Sequence, residues 1–314
     1  MPKRDIVTIG GSAGSIEALQ KIMRQLPAEL PAAVFVVIHM APRGRSLLPE
    51  VLGKCPLPAQ HAVHGERIEW GRVYVAPPDR HLLVAEHHIH LTRGPKEGLH
   101  RPSINVTFRS AAMTYGPRVI GVLLSGMLDD GAAGIWEIAN RGGVTVVQDP
   151  EEAQFPSMPL NALRDASVHY RLPAAEIGTV LPRLVREEET WEMEDRVSPD
   201  RQSSVDYEQF SGFTCPECHG PLFQNKGPGP VEFRCRVGHV LSLKTLVDEH
   251  TSTQERKLYE AILALEEGAD LALFTASRTD EPQQKSLRRE AEQLRRHASA
   301  IKKLLEEREM PALD

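Results

Sequence analysis

A serine lies in a glycine-rich turn near the N-terminus of the chain. The segment "DIVTIGGSAGSIEALQKIM", residues 5–23, runs from apolar residues through a cluster of small ones into apolar residues at helical spacing. Gly10, Ser12 and Gly14 match the pattern G-x-S-x-G. In a nucleophile elbow of this kind the serine Oγ projects above the sheet edge, and N–H groups at the helix start face a developing oxyanion. The pattern indicates a nucleophilic serine, and plain turn chemistry is the alternative.

Phosphate binding is the other common use of a glycine-rich turn between a strand and a helix. The dinucleotide pattern G-x-G-x-x-G fails in both frames, because Ser12 and Ala13 stand where its second glycine is required. The second predicted strand ends at His39 rather than at the acidic residue that binds a ribose. The Gly-Lys-Ser/Thr of a P-loop is absent as well. These differences argue against a nucleotide at this turn.

A serine becomes a strong nucleophile only beside a base, so the ends of the neighbouring predicted strands matter. Residues at the carboxyl ends of parallel strands converge on one crevice. His39 ends the second predicted strand, and Asp129 and Asp130 follow the strand that begins at Val119. Ser12, His39 and one of the two aspartates therefore predict a Ser-His-Asp group, while the other aspartate can N-cap the next helix. Their order along the chain differs from those of the α/β-hydrolases, chymotrypsin and subtilisin.

The elements that must position these residues alternate between strand and helix from residue 5 to about residue 180. This order predicts an α/β fold with a doubly wound, mostly parallel sheet. Between Val63 and Arg93 the sequence alternates apolar and polar residues around turn residues, which predicts short antiparallel strands or a hairpin. A small zinc-ribbon-like segment and a helical hairpin are predicted to follow this domain.

The zinc-ribbon prediction rests on two pairs of metal-ligand residues, namely Cys215, Cys218, Cys235 and His239. The spacings C-x2-C and C-x3-H, separated by a hairpin-length gap, are typical of a tetrahedral zinc site. Four protein ligands leave no open position, so the predicted zinc is structural. His219 competes for the fourth position but adjoins Cys218, and thiols without a metal are the alternative. Cys55 stands alone and is predicted to be inert.

The composition and charge narrow the class of protein. The chain has 314 residues, of which 41% are hydrophobic and 25% charged, as expected for a soluble protein of roughly two domains. Its formal net charge of −6 argues against a nucleic-acid partner. No apolar run is long enough to insert in a membrane, and the N-terminus lacks the features of a signal peptide. The cytoplasm is the expected location, and catalysis is expected to need no cofactor.

The chain is expected to divide into four segments: a catalytic domain at 1–185, a polar linker at 186–211, a zinc-ribbon-like module at 212–245 and a helical hairpin tail at 246–314. The linker is rich in charged residues and poor in apolar ones. The tail is expected to contact a partner or a second copy of the chain, or else to pack on its own domain.

Six motifs carry a resemblance to a known family: "IGGSAGSIEAL", "VVIHMAP", "VYVAPPDRHLLV", "RPSINVTFRSAA", "LLSGMLDDGAAG" and "QFPSMPLNAL". In this order they resemble the catalytic domain of the chemotaxis protein-glutamate methylesterases, the CheB type, over about residues 4–182. The resemblance implies a serine esterase that hydrolyses γ-methyl esters of glutamate on chemoreceptor helices during adaptation, releasing methanol and restoring glutamate.

The resemblance also implies a role for each residue of the site. Ser12 is the expected nucleophile and His39 the expected base. Asp130, from its position in the "DGAAG" motif, is the expected orienting carboxylate. The backbone N–H groups of Ala13 and Met127 are expected to bind the oxyanion.

The arginines Arg43, Arg45, Arg101 and Arg109 are candidates to line a cleft for an acidic receptor helix, and Arg101 is the substrate-binding prediction. Ordinary ion-paired arginines are the alternative. The chain departs from the family in two informative ways. No receiver domain precedes the first strand, so a receiver-less form is expected. Leu128 stands where the family has glycine, which puts the shape of the oxyanion loop in question.

Three functions remain open at this point. The leading one is a methylesterase whose partners are methylated chemoreceptor helices or similar signalling proteins. The second is a signalling scaffold with a methylesterase-like domain that binds receptors or a methyltransferase. The third is an esterase for a different ester.

Overall fold

The computed structural model describes residues 4–42, 46–186 and 206–307 of the chain. It divides into two compact units, the first ending at Thr245 and the second beginning at Leu246. The strands of the first unit are β1 (Ile6–Gly11), β2 (Ala33–Ile38), β3 (Ala59–His61), β4 (Val73–Val75), β5 (His81–Val84), β6 (Ile89–Thr92), β7 (Val119–Leu123), β8 (Val144–Gln148), β9 (Tyr170–Leu172), β10 (Asp206–Thr214), β11 (Pro221–Lys226), β12 (Glu232–Cys235) and β13 (Val240–Ser242). Its complete helices are α1 (Ser15–Met23), α2 (Leu48–Val51), α3 (Ile104–Tyr115), α4 (Ala132–Asn140), α5 (Ser157–Asp165) and α6 (Ala174–Arg186).

Seven parallel strands form the main sheet in the spatial order β3-β4-β2-β1-β7-β8-β9. The chain builds outwards from β1 first to one side and then to the other, so the order reverses at β1. The residues of β1, β2 and β7 are all buried, as expected for strands covered on both faces. This arrangement confirms the predicted doubly wound α/β fold, and its topological switch point lies at the carboxyl end of β1.

Apolar layers cover both faces of this sheet. On one face α1 and α6 pack together, with Leu19, Ile22 and Leu181 fully buried. On the other face α3, α4 and α5 pack in sequence, with Phe108 and Ile138 fully buried. The burial of one stripe of each helix gives a three-layer sandwich.

The predicted hairpin is present as β5 and β6, which pair antiparallel. One strand from the same stretch of sequence behaves differently, because β4 joins the main sheet in parallel with β2 and β3. Its three residues are all buried, so they carry no alternation that would distinguish a parallel strand from the antiparallel strands beside it.

Strands β10–β13 form a separate antiparallel sheet in that order, which we call the Cys/His module (residues 206–242). Strand β10 begins at Asp206, within the segment predicted as a linker at 186–211. Residues 187–205 of that segment lie outside the described part of the chain.

The second unit is a helical hairpin of α7 (Leu243–Ala276), whose first turn belongs to the first unit, and α8 (Glu281–Glu306). Ala269, Ala272 and Ala291 are buried between the two helices. Ion pairs join Asp270 to Arg295 and Glu266 to Lys302, a register in which the two helices run antiparallel, as predicted. Among the described helices, none combines the length and apolar character that crossing a bilayer requires.

Two isoleucines of α1 test the packing of this layer. Ile22 is fully buried, whereas 38% of Ile16 is exposed. Ile22→Ala should therefore lower the free energy of unfolding by about 2–5 kcal/mol, because it removes buried methyl groups and leaves a cavity. Ile16→Ala, the matched control, should change it by no more than about 0.5 kcal/mol. Urea denaturation measures both values, and equal effects would contradict the assigned face.

Candidate active site

Ser12 lies in the turn between β1 and α1. Its backbone N–H donates to the carbonyl of Ser125 at 2.9 Å, which ties the turn to the segment after β7. Gly14 has a φ of +72°, in the left-handed region, and a Cβ added there would come within 2.7 Å of the Gln154 side chain. The turn therefore requires glycine at this position, as in a nucleophile elbow.

His39 directly follows β2 and connects Ser12 to Asp130. Its Nδ1 lies 3.1 Å from the Ser12 Oγ, and its Nε2 lies 2.7 Å from the Asp130 Oδ2. The tautomer that donates Nε2–H to the carboxylate leaves Nδ1 as an acceptor for the serine hydroxyl. The His39 side chain is only 6% exposed and that of Asp130 only 3%. The structure thus brings the three predicted residues into one hydrogen-bonded chain.

The N-terminus of α3 surrounds the Asp130 carboxylate. Its oxygens accept hydrogen bonds from the N–H groups of Ile104 and Asn105 and from the Ser103 hydroxyl, at 2.8–3.0 Å. Burial alone would raise the pKa of this carboxyl, but the hydrogen bond and charge of His39, with the helix N–H groups, lower the pKa of Asp130 to about 2. Asp130 is therefore an anion throughout the neutral pH range.

Helices α3 and α4 exchange caps at this point. The Asn105 Oδ1 accepts the N–H groups of Gly131 and Gly134 at 2.9 and 2.8 Å, at the start of α4. Asp130 in turn accepts donors of α3. The side-chain cap at the start of α4 is therefore Asn105, while the Asp129 backbone carbonyl accepts the Ala132 N–H at 3.1 Å. The other aspartate, Asp129, accepts a hydrogen bond from the Thr245 hydroxyl at 3.1 Å, and burial raises its pKa.

The segment around Met127 passes beside Ser12. A Cβ added to Gly126 would lie 2.8 Å from the Ser12 Cβ and would overlap the Met158 Sδ, so the backbone here approaches the serine closely. The Met127 side chain is 56% exposed. Ala13 follows Ser12 in the turn before α1. The two predicted oxyanion donors therefore belong to segments that flank the serine.

Leu128 has a φ of +62°, a conformation that favours glycine. Its carbonyl accepts hydrogen bonds from the Ser157 hydroxyl at 3.1 Å and the Asn161 side chain at 2.8 Å. The loop thus keeps the left-handed backbone that glycine would adopt, although leucine occupies the position.

A second histidine, His100, covers one face of the His39 ring. The ring of His100 stacks on that of His39, with centroids 3.6 Å apart and planes inclined by 16°. Burial, and then the neighbouring His39, lower the pKa of His100 to about 4. Sequence reasoning missed His100, Ser103 and Asn105, and the only signal was their position in or beside the motif "RPSINVTFRSAA".

The arginines have their own partners. Arg101 donates to the Asp79 carboxylate at 2.7 and 2.9 Å and to the Gly94 carbonyl at 2.7 Å. Arg109 pairs with Glu97 and with Glu232, each at 2.9 Å. Neither guanidinium is a partner of Ser12 or His39 in these contacts, and Arg43 and Arg45 lie outside the described residues.

The ligand atoms of Cys215, Cys218, Cys235 and His239 all lie within 4.8 Å of one another. The Cys218–Cys235 sulfur pair is 3.6 Å apart, and the His239 Nδ1 lies 3.7 and 3.5 Å from the sulfurs of Cys215 and Cys235. A tetrahedron with metal–sulfur bonds of about 2.3 Å and a metal–nitrogen bond of about 2.0 Å has edges of about 3.5–3.8 Å. The cluster can therefore bind a metal, with His239 rather than His219 as its histidine.

A serine in a glycine-rich turn, a buried histidine and a carboxylate lie together at the switch point of a doubly wound sheet, an arrangement typical of hydrolases with a serine nucleophile. The model of the CheB methylesterase family matches residues 7–181, more than half of the chain. The chain belongs to this family, as the six motifs predicted.

Named relatives agree with this assignment. The chain is 38% identical over 192 residues to a protein-glutamate methylesterase/protein-glutamine glutaminase of Methanosarcina mazei, covering 58% of this chain and 52% of that protein. It is 38% identical over 186 residues to a protein of the same name from Ralstonia nicotianae, covering 57% and 48%. The crystal structure of the Thermotoga maritima CheB methylesterase catalytic domain superposes with a TM-score of 0.55 at 33% identity, covering 58% of this chain and 97% of that one. The chain thus spans about half the length of these two methylesterase/glutaminase relatives.

The left-handed backbone at Leu128 predicts opposite effects for two substitutions. Leu128→Gly should leave the free energy of unfolding unchanged or raise it by up to about 1 kcal/mol, because glycine adopts this φ without strain. Leu128→Val should lower it by roughly 1–3 kcal/mol, because a β-branched side chain is poorly tolerated there. Chemical denaturation of both variants measures the difference, and a more stable valine variant would contradict the backbone assignment.

Proposed function

We propose that the chain is a serine esterase that hydrolyses γ-methyl esters of glutamate side chains in chemoreceptors or receptor-like signalling proteins. The observation that carries the proposal is the hydrogen-bonded chain from Ser12 through His39 to Asp130 in a member of the CheB methylesterase family. The names of the Methanosarcina and Ralstonia relatives state this activity for those proteins.

The first half of the proposed reaction is acyl transfer to the serine. The Nδ1 of His39 takes the proton of the Ser12 hydroxyl while the Oγ attacks the ester carbonyl. The N–H groups of Ala13 and Met127 stabilise the tetrahedral oxyanion. The imidazolium then gives its proton to the methoxy oxygen, the C–O bond breaks, and methanol leaves an acyl-serine.

Water completes the reaction by the same route. His39 takes a proton from the water, the resulting hydroxide attacks the acyl carbon, and the serine oxygen leaves with the proton that His39 returns. The products are the free glutamate side chain and the original serine. Asp130, ionised and fixed by the N-terminus of α3, holds the Nε2–H tautomer and stabilises the imidazolium that forms in both halves.

The relatives' names also state a glutaminase activity on protein glutamine. The same groups would attack a side-chain amide, with ammonia leaving in place of methanol. A methylated receptor fragment and its glutamine counterpart are therefore the two substrates to compare. None of the four cysteines is in a disulfide, which supports the reducing cytoplasm expected from the sequence.

Replacement of the nucleophile is the direct test. Ser12→Ala should lower methanol release by about 10⁴–10⁶-fold, because the members of such a group act as a unit. It should also abolish labelling by a serine-directed fluorophosphonate. Ser286→Ala, a change on the exposed surface of α8, is the control and should retain both. A loss smaller than tenfold in Ser12→Ala would reject the assignment, and unlabelled, folded wild-type protein would favour a signalling scaffold.

We further propose that the metal of the Cys/His module is zinc and that its role is structural. The ligand set of three thiolates and one imidazole, with the edge lengths given above, supports zinc, and four protein ligands leave no position for a substrate.

Removal of one ligand tests the zinc proposal. Cys215→Ser should reduce the zinc content of the purified protein from one atom per chain to a small fraction, because three ligands hold zinc far less tightly than four. Cys55→Ser is the matched control, since this thiol donates to the Leu57 carbonyl outside the cluster and should leave the zinc content unchanged. Mass spectrometry of the metal measures both, and full zinc in Cys215→Ser would contradict the ligand set.

A further inference from the structure

The Cys/His module packs directly against the segment that carries His100. Val240, the first residue of β13, pairs with the segment 96–98 of the catalytic domain. The Gly98 N–H donates to the Val240 carbonyl at 2.8 Å, and the Val240 N–H donates to the Lys96 carbonyl at 3.3 Å. Val240 also directly follows the cluster residue His239. One residue therefore joins the predicted metal site to the segment beside the active site.

Ion pairs reinforce this contact. The Arg109 side chain, 19% exposed, bridges Glu97 of that segment to Glu232 of the module, each at 2.9 Å. The Glu232 side chain is only 8% exposed and also accepts the Tyr207 hydroxyl at 3.1 Å. Removing one partner of such a pair leaves an uncompensated buried charge, so the contact resists separation.

The segment itself is a turn that depends on its surroundings. Gly98 and Leu99 have φ values of +57° and +68°, and the His100 N–H closes the turn on the Glu97 carbonyl at 3.0 Å. A leucine in the left-handed region is strained and persists only where neighbouring contacts hold it. On the catalytic side, the buried His81 makes a hydrogen bond to the Pro95 carbonyl at 2.9 Å. On its opposite side, the turn is held by the Cys/His module through the two backbone hydrogen bonds of Val240.

The last residue of the turn, His100, packs on His39, the catalytic histidine of the proposed reaction. The His100 ring lies flat on the His39 ring at 3.6 Å, which excludes water from one face of the imidazole and restricts its rotation. An imidazole held in this plane keeps Nδ1 directed at the serine oxygen and Nε2 directed at Asp130. Positioning of this kind contributes to turnover because small displacements of a catalytic group are costly.

We propose that the Cys/His module is a positioning element of the esterase site: through Val240 and Glu232 it holds the turn 97–100, and so keeps His100 stacked on His39. This inference rests on the proposed esterase function. His100 is a positioning residue, since it acts through His39. A metal held by the four ligands would then contribute to turnover without contacting the substrate, because it would fix the strand end from which Val240 pairs.

The first experiment tests the role of the His100 ring, apart from that of the module, by substitution in the full-length chain. His100→Ala should lower kcat on a methylated receptor fragment by about 10–100-fold with KM changed less than twofold, because the imidazole loses its fixed orientation. His100→Phe restores a flat ring and should recover most of kcat. Equal kcat values for His100→Ala and wild type, or no recovery in His100→Phe, would overturn the role of His100.

The second experiment removes the metal. Hydrogen exchange of the peptide that contains residues 95–101 should speed up in Cys215→Ser, while exchange in β1 and β7 stays slow. Cys55→Ser is the control and should match wild type. Combining Cys215→Ser with His100→Ala should lower kcat no further than His100→Ala does. Unchanged hydrogen exchange of residues 95–101 in Cys215→Ser would overturn the proposal. A kcat of Cys215→Ser above that of wild type would also overturn it, and would identify the module as an inhibitor.

The two proposals fail in different ways. If wild-type protein releases no methanol and takes no fluorophosphonate label, the esterase function fails. The exchange measurement still decides whether the module holds the turn, because it does not depend on activity.

Discussion

The site depends on the hydrogen bonds that surround the buried carboxylate of Asp130. An ionised carboxylate in a protein interior is very costly unless donors surround it. Here two N–H groups of α3, the Ser103 hydroxyl and the imidazole of His39 fill its acceptor positions. The loop after β7, the start of α3 and the end of β2 must therefore meet at one point. The charge that orients the histidine also fixes three elements of the fold.

The same helix extends this constraint away from the site. The first turn of α3 holds Asp130, and Arg109, on its second turn, reaches Glu97 and Glu232. The helix lies against the sheet through Phe108, which is fully buried. A rigid α-helix thus has the catalytic carboxylate of the proposed reaction at its start and the Cys/His module along its flank. The module and the active site are therefore connected through one helix.

The sequence was sufficient to predict those parts of the fold and of the site that depend on where buried strands end. Ser12, His39 and an aspartate of the pair Asp129 and Asp130 could be grouped because each follows an apolar run and parallel strands end at one sheet edge. The choice of Asp130 came from the family resemblance. His100 and Asn105 could not be grouped with them, since both depend on how the loop after β6 returns to the sheet, and such a loop has no periodicity to interpret. The parallel pairing of β4 was hidden for a related reason, because three buried residues carry no alternation.

The size of the Cys/His module argues for a metal and for its coupling to the catalytic domain. Its four strands bury few large apolar side chains, chiefly Leu222, Phe233 and Leu241. A core this small needs a disulfide, a metal or a larger neighbouring domain to fold stably. The module has a ligand cluster at one end and the catalytic domain along β13. Because both supports meet at His239 and Val240, the free energy that a bound metal would add to the module would also stabilise the turn 97–100.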